Sequence, residues 1–521
     1  MNANKTTRIW PFLAALLIIS LIRYVGFLHD RAFAYALAGI ILIVGSLCNR
    51  KTLAVIGIDI LFVLFTLFLV GITAINGRLF PSNVITVLFF LCAFLYFRSC
   101  DSLKELKISV VAFSLLNCAL ILLQQIGLLP VHGILDRYGL FENSGYASLV
   151  CAFAIGIVLE EKVRWRIPLV VLLTIAPVLL MSRTAMIAIA LIILYNILKP
   201  YGKRTKIIVS AVTAVVCLVA LYYLKPLSAD SRLLAWVSIG DYMVDNGIWF
   251  GKGLGSVARD YMFMQKDFLL SHPESSFRMV ADNNYQVYND YLRILYEGGV
   301  ITFVIWIAFL ISAALRSLKS GKVFFVVPLV AMAFMNVMDI PVVALFSVLA
   351  LADYPNDKAR FSFPASSKAY CVPLAVTISV LAVIHGFGRN TERGRIRELR
   401  PALFYAKQLN STASPENIEK VKAIISSTCC TYEMLTDLSE CQLQVGDTVG
   451  AVSSLELAYN MIPNKVVACC ALLNIYEAQK DTANMMRMAK IIADGRFKVK
   501  GSIYYDARKK ADGLLHTGIR H

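Results

Sequence analysis

Thirteen apolar windows, most of them bounded by basic residues, constrain this chain more than any other feature. They fall near residues 9–27, 31–48, 53–75, 81–97, 107–129, 145–159, 166–181, 184–198, 206–224, 299–315, 323–338, 340–352 and 370–387. Segments this apolar can bury their surface only against one another or in lipid. At 1.5 Å per residue the longer ones cross about 30 Å of hydrocarbon. With 58% hydrophobic and 16% charged residues over 521 positions, and a mean hydropathy of +0.67, an ordinary soluble globule is excluded. The expected class is all-α, a polytopic helical membrane protein of about twelve core spans plus one. The first window has no small-x-small cleavage site and a second follows at once, so it reads as an anchor.

A net charge of +17 would suit a nucleic-acid binder, but its placement explains it better, and no nucleic-acid partner is expected. Lys5 and Arg8, Arg50 and Lys51, Arg98 with Lys104 and Lys107, Lys162 with Arg164 and Arg166, Lys199 to Lys206, and Arg316 with Lys319 and Lys322 all fall on one face when the windows alternate. Basic loops mark the cytoplasmic face. The N-terminus is therefore expected in the cytoplasm, with residues 130–144, the Ser182-Arg183-Thr184 corner and a long loop over about 225–298 outside. Arg389, Arg393, Arg395, Arg397 and Arg400 pull the C-terminal region the other way. Long domains translocate largely regardless of charge, so parity is the stronger guide. A single crossing over 323–352 would reverse it, but Asp339 and Pro341 in the middle favour a re-entrant pair.

Polar chemistry is concentrated at one membrane edge, in Tyr288-Asn289-Asp290-Tyr291-Leu292-Arg293-Ile294-Leu295-Tyr296-Glu297-Gly298-Gly299, directly before the window at 300–315. Ionisable groups beside hydrocarbon are costly and rare without a task. Three further patches precede it. They are Asp136-Arg137-Tyr138-Gly139-Leu140-Phe141-Glu142-Asn143, then Ser182-Arg183-Thr184, then Ser231-Arg232 with Trp236 and Gly251-Lys252-Gly253-Leu254-Gly255.

In that order, over roughly residues 10–352, the four patches resemble the bacterial O-antigen ligase and polymerase family. One departure is that Tyr288 stands where the family usually has His. The resemblance implies a glycosyltransferase-C-like membrane domain with a large periplasmic loop, in the bacterial inner membrane. It also implies transfer of a glycan from an undecaprenyl-pyrophosphate carrier to an acceptor hydroxyl of lipid A core or protein; no cofactor is expected, and with no H-E-x-x-H, D-x-D or paired metal-ligand spacing in the external loops no metal is expected either. Ligase, polymerase and protein transferase share this donor chemistry. A flippase or transporter of lipid-linked sugar is the alternative of another class. Charge gathered on the outer loop rather than at span centres favours an enzyme.

Such a transfer needs cations for the departing pyrophosphate and a group to take the acceptor proton. Arginine donates paired hydrogen bonds and stays charged near lipid, which singles out Arg137, Arg183, Arg232 and Arg293, with Asn289 and Gly253 beside them. For the base, Tyr288, Asp290, Glu297 and His272 stay open. A phenol of pKa near 10 is a poor base, a carboxylate is ionised at neutral pH, and a lone loop His is more often simply exposed. Arg293 is one turn from both Asn289 and Glu297, a spacing that also suits an ordinary helix ion pair. The Gly251–Gly255 block follows no strand and reads as a tight corner with close backbone approach rather than a phosphate cradle.

From residue 388 the composition becomes that of a soluble helical domain, so the expected division is 1–387 and 388–521. Gly446-Asp447-Thr448 and Lys480-Asp481-Thr482 repeat one turn chemistry 34 residues apart, and the region 430–497 resembles tetratricopeptide repeats, whose stacked hairpins bind protein partners. The chain has 12 cysteines. Those in the spans read as small apolar residues. Cys429, Cys430, Cys441, Cys469 and Cys470 are either reduced and buried or joined in one or two disulfides.

Overall fold

The computed structural model describes residues 18, 31–48, 57–76, 81–100, 102–129, 138–161, 164–224, 226–284, 286–355, 368–389, 415–427 and 430–518. The described residues form twenty α-helices and no β-strand. The first apolar window and Arg137 lie outside the described residues, Ile18 excepted. Three helices are long and apolar enough to cross a membrane: α2 (Gly57–Ile75), α4 (Lys104–Gln125) and α11 (Asp290–Lys319). They are joined by α1 (Arg31–Cys48), α3 (Pro81–Ser99), α5 (Ser144–Glu160), α6 (Arg166–Leu179), α7 (Arg183–Ile197), α8 (Lys203–Leu224), α12 (Val326–Phe334), α13 (Pro341–Ala352) and α14 (Lys368–Arg389). Residues 1–224, 249–254 and 288–388 make one compact unit; 225–248, 255–287 and 389–521 make a second.

The core of the first unit is aromatic. Phe62 stacks on Phe94 at 4.2 Å and Phe65 on Trp306 at 4.4 Å, all four fully buried. This locks α2, α3 and α11 side by side through dispersion rather than hydrogen bonds.

A charged cluster closes one end of the unit. Lys107 lies 2.8 Å from Asp353 and 3.4 Å from Glu160. Lys322 also pairs with Asp353, and the Glu160 carboxylate accepts from the backbone N–H groups of Val323 and Phe324. Lys322 and Asp353 flank the α12–α13 segment, so both of its ends are fixed at the same level. Between them the helix breaks. Met335 is extended, Val337–Asp339 is a single 3₁₀ turn, and Pro341, which has no N–H to give, opens α13. The segment is a helical hairpin, and its tip meets the N-terminal end of α11. The expected break at Asp339 and Pro341 is present, as a 3₁₀ turn between two helices.

The second unit joins the long loop to the C-terminal region. It contains α9 (Pro226–Asp245), α10 (Ser256–Ser271), a 3₁₀ turn at Ser276–Met279, α15 (Pro415–Ser427), α16 (Tyr432–Gln444), α17 (Thr448–Met461), α18 (Val466–Gln479), α19 (Thr482–Asp494) and α20 (Ser502–Gly518). Helices α16 and α18 begin 34 residues apart, as do α17 and α19. The repeated turn has a physical basis. Gly446 and Lys480 take left-handed φ of 82° and 58°, and the next residue caps the following helix: Asp447 accepts from Gly450 N at 2.9 Å and Asp481 from Asn484 N at 3.1 Å. Cys430, Cys441, Cys469 and Cys470 are free thiols, the first three buried.

Candidate functional site

Two glycine contacts shape the polar end of α11. Gly299 has φ 75° and ψ 175°, a conformation essentially closed to other residues, and it kinks the helix after its third turn. The kink interrupts the helical ladder, and residues 249–253 repair it. Val300 N, no longer bonded within the helix, donates to Trp249 O at 2.9 Å. The carbonyls of Tyr296 and Glu297 accept from Lys252 N and Gly253 N at 3.1 and 2.8 Å. The approach is backbone on backbone. A Cβ at Gly251 would sit 2.6 Å from Gly298 C, and one at Gly299 would sit 2.5 Å from Phe250 C. Gly253 (φ 85°) passes Thr73 less closely, a Cβ there lying 3.1 Å from Thr73 Cα, and Leu254 N donates to the Thr73 hydroxyl at 3.0 Å. The block is the tight corner its glycines imply.

Asn289 caps α11, its Oδ1 accepting from Leu292 N at 3.0 Å. The preceding residue, Tyr288, is held at a left-handed φ of 51°. One turn into the helix, Arg293 reaches Glu297 at 3.3 Å on its own helix and Asp339 at 2.9 Å on the hairpin tip. Asp290 is buried. Its Oδ2 accepts from Val337 N at 2.8 Å, and its Oδ1 has no hydrogen-bond partner. Tyr146 OH donates to Asn336 O at the tip and Tyr291 OH to Leu329 O in the α12 leg, holding the hairpin at two further points.

These side chains line a cleft enclosing about 700 Å³ of non-atom space, its open side included. Asp290, Arg293, Glu297 and Asp339 are its charged lining, and Phe62, Phe65, Leu69, Phe90 and Ile294 are among its apolar lining. Three carboxylates face one guanidinium. Buried charge is tolerated where it is paired, and Arg293 is paired twice. Asp290 Oδ1 is left without a hydrogen-bond partner and is chemically able to accept a proton.

Asp290, Glu297 and Arg293 are thus brought together, and Gly253 supports them through the backbone of Glu297. Arg183 is half-buried as the first residue of α7, just past the corner where Met181 takes a φ of 51°, and it is not among the cleft-lining residues. Arg232 and His272 belong to the second unit. His272 is exposed at the end of α10, its Nδ1 3.1 Å from Phe268 O and its ring stacked on Phe268 at 4.5 Å. Trp236, expected as part of a recognition block, donates its indole N–H to Val287 O at 2.9 Å. The first patch is also tied down: Gly139 N and Leu140 N donate to Gln124 and Asn117 of α4, and Asn143 caps α5.

Residues 168–307 match the family model described as O-antigen ligase. The matched segment runs from α6 into α11 and holds Arg183, Arg232, the glycine corner, and Tyr288 to Glu297. It supports a glycan-transferring family and, with the apolar helices, a membrane protein. No curated protein matches the chain. Asp339 lies beyond the matched segment and was not singled out as a site residue. Its signal was an acid inside an otherwise apolar window, which hydrocarbon tolerates only beside a partner.

Proposed function

We propose that this protein is a glycosyltransferase of the O-antigen ligase type. It moves a glycan from an undecaprenyl-pyrophosphate carrier to an acceptor hydroxyl at the periplasmic face of the bacterial inner membrane. The observation that carries the reading is the buried, unpartnered Asp290 Oδ1 at the head of α11, in a half-apolar cleft within the ligase-like segment. On this reading Asp290 accepts the acceptor's proton while Arg293 holds Glu297 and Asp339 in place around it. Arg183 and Arg232 are the candidate partners of the departing pyrophosphate. The hydroxyl oxygen attacks the anomeric carbon, the bond from that carbon to the pyrophosphate oxygen breaks, and the pyrophosphate leaves with its electron pair. The apolar lining suits the carrier's isoprenoid chain.

Topology follows the same reading. Thirteen spans, counting the two legs of the α12–α13 hairpin separately, leave the N-terminus in the cytoplasm and put the loop and C-terminal domain in the periplasm. The 34-residue helix period supports a tetratricopeptide-like assignment for α16–α19. Deleting the gene and profiling glycans tests the function. Long glycan accumulating on the carrier supports a ligase to lipid A core, single units a polymerase, and loss of protein glycans a protein transferase. Unchanged profiles in all three fractions would sink the proposal.

A further inference from the structure

The tip of the α12–α13 hairpin has no helical ladder to fix it. Met335 is extended, Val337–Asp339 is one 3₁₀ turn and Ile340 is extended again. Its place is set by side chains from elsewhere in the first unit. Asn336 O accepts from Tyr146 OH at 3.1 Å, Val337 N donates to Asp290 Oδ2 at 2.8 Å, and the Asp339 carboxylate lies 2.9 Å from Arg293. Asn336 O also takes the Asp339 amide, at a longer 3.3 Å. Tyr146 stands in the first turns of α5, which have little room to move. Asn143 caps them by accepting from Gly145 N at 2.7 Å, and Asn117 of α4 donates to Ala147 O at 3.1 Å. Every residue from Tyr146 to Val158 is buried. Met335 lies against the same turn, since a Cβ at Gly145 would sit 2.7 Å from Met335 Cε.

The carbonyl that Tyr146 grips and the amide that Asp290 grips belong to one peptide group, the bond from Asn336 to Val337. That group is a rigid plane, and in its trans form C=O and N–H point opposite ways. Tyr146 and Asp290 thus hold opposite edges of a single plate, buried with them. Each hydrogen bond polarises the plate in the sense that strengthens the other. We infer that Tyr146 is a positioning residue of the transfer reaction: it fixes the tilt of this peptide group, which fixes the Asp290 carboxylate and leaves Oδ1 for the acceptor hydroxyl. This rests on the function proposed above. Without the phenol hydroxyl the plate is free to tilt and its N–H to swing off Oδ2. A misplacement of about 1 Å at a reacting group can cost on the order of 10²-fold in rate.

The test uses the full-length protein in nanodiscs, with lipid-linked glycan extracted from the deletion strain as donor and that strain's glycolipid fraction as acceptor. Transfer kinetics and amide hydrogen exchange are followed together. Tyr146→Phe keeps the ring and removes only the hydroxyl. It should speed exchange over 336–340, leave α5 protected, and lower kcat about tenfold or more with KM for the donor within about twofold. Ser347→Ala removes another buried hydroxyl, one bonded to Val343 O within α13, and should change neither readout. Faster exchange over 336–340 with wild-type kcat overturns the role in transfer, as does an equal loss of kcat in Ser347→Ala. Unchanged exchange in Tyr146→Phe overturns the hold itself. If Tyr146→Phe does not insert, Met335→Ala, which loosens the same tip where it lies against Gly145, decides by the same criteria. A wild-type protein inactive on this donor overturns the functional reading first, and the role of Tyr146 in transfer with it.

Discussion

Replacing Gly299 by Ala attacks the site through its backbone. At φ 75°, ψ 175° an L-residue is strained by about 1–3 kcal/mol, and the new methyl would lie 2.5 Å from the Phe250 carbonyl carbon, which is backbone and cannot swing aside. Relief requires residues 249–253 to part from α11. That abandons the three bonds Val300 to Trp249, Lys252 to Tyr296 and Gly253 to Glu297, each worth about 0.5–1.5 kcal/mol net. Either way the loss is about 3 kcal/mol, and a straightened helix carries Asp290 and Arg293 off the hairpin tip. Denaturant titration of the full-length protein in micelles should show that loss, and glycan transfer should fall by about 10²-fold or more. Gly71→Ala is the control: its Cβ meets nothing within 4 Å, and helical alanine is favoured over glycine by about 1 kcal/mol. Wild-type stability and transfer in Gly299→Ala would refute the argument that the kink is built on glycine.

Asp290→Asn should cut transfer by about 10²–10⁴-fold, the usual worth of a general base, while Tyr288→Phe is mild and Tyr288→His is tolerated; an active Asp290→Asn beside an inactive Tyr288→Phe reverses the assignment. Arg183→Ala and Arg232→Ala should each lower transfer by about 10²–10³-fold without loss of membrane insertion, with Lys a poor substitute, and normal rates in both would return them to a structural role. Cysteines introduced at loop and tail positions should be labelled together in intact cells, since 225–287 and the C-terminal helices share one compact unit; labelling of the loop alone contradicts the thirteen-span count. Burial tends to raise the Asp282 pKa, but its hydrogen bond from Lys498, that from Asn283 N–H, and the charge of Lys465 prevail and lower it. Its contribution is therefore present above the unfolded pKa of about 3.9 and is lost only as pH falls through the lower folded value, so exchange protection of 278–287, corrected for intrinsic rates, should be flat from about pH 5 to 8.

Local signals in the sequence translated well. Hydrophobic windows became helices because apolar side chains on all faces leave the backbone no better way to satisfy its hydrogen bonds. The corner at Gly251–Gly255 and the paired Asp447 and Asp481 turns were readable because glycine and capping aspartate act on their nearest neighbours. The Arg293–Glu297 pair was readable from its spacing alone. Asn289 and Trp236 looked like recognition residues, and the structure shows one capping a helix and the other holding a carbonyl, roles a single sequence does not distinguish from binding. The contacts out of reach were those far apart in the chain. Asp339 meets Arg293 across 46 positions, and Asn464 meets Ala281 across 183. Nothing in either neighbourhood names its partner, because both depend on how separate helices pack.

On the proposed topology the α12–α13 hairpin also acts as a depth gauge. From Asp353 back to Asp339 the chain has the twelve residues of α13 and little else, about 18 Å of helix and at most about 25 Å in all with extended ends. A hydrocarbon layer is about 30 Å thick. On the proposed topology the cluster at Lys107, Glu160 and Asp353 marks the cytoplasmic edge, and the pair formed by Asp339 and Arg293 would then stand several ångströms below the far surface. A partly buried pair is screened much less than one on the surface, so added salt should weaken it less than an exposed ion pair. On the proposed function an acceptor hydroxyl would likewise have to come down to the carboxylates, which favours acceptors that are themselves held in the bilayer or carry their hydroxyl on a slender arm.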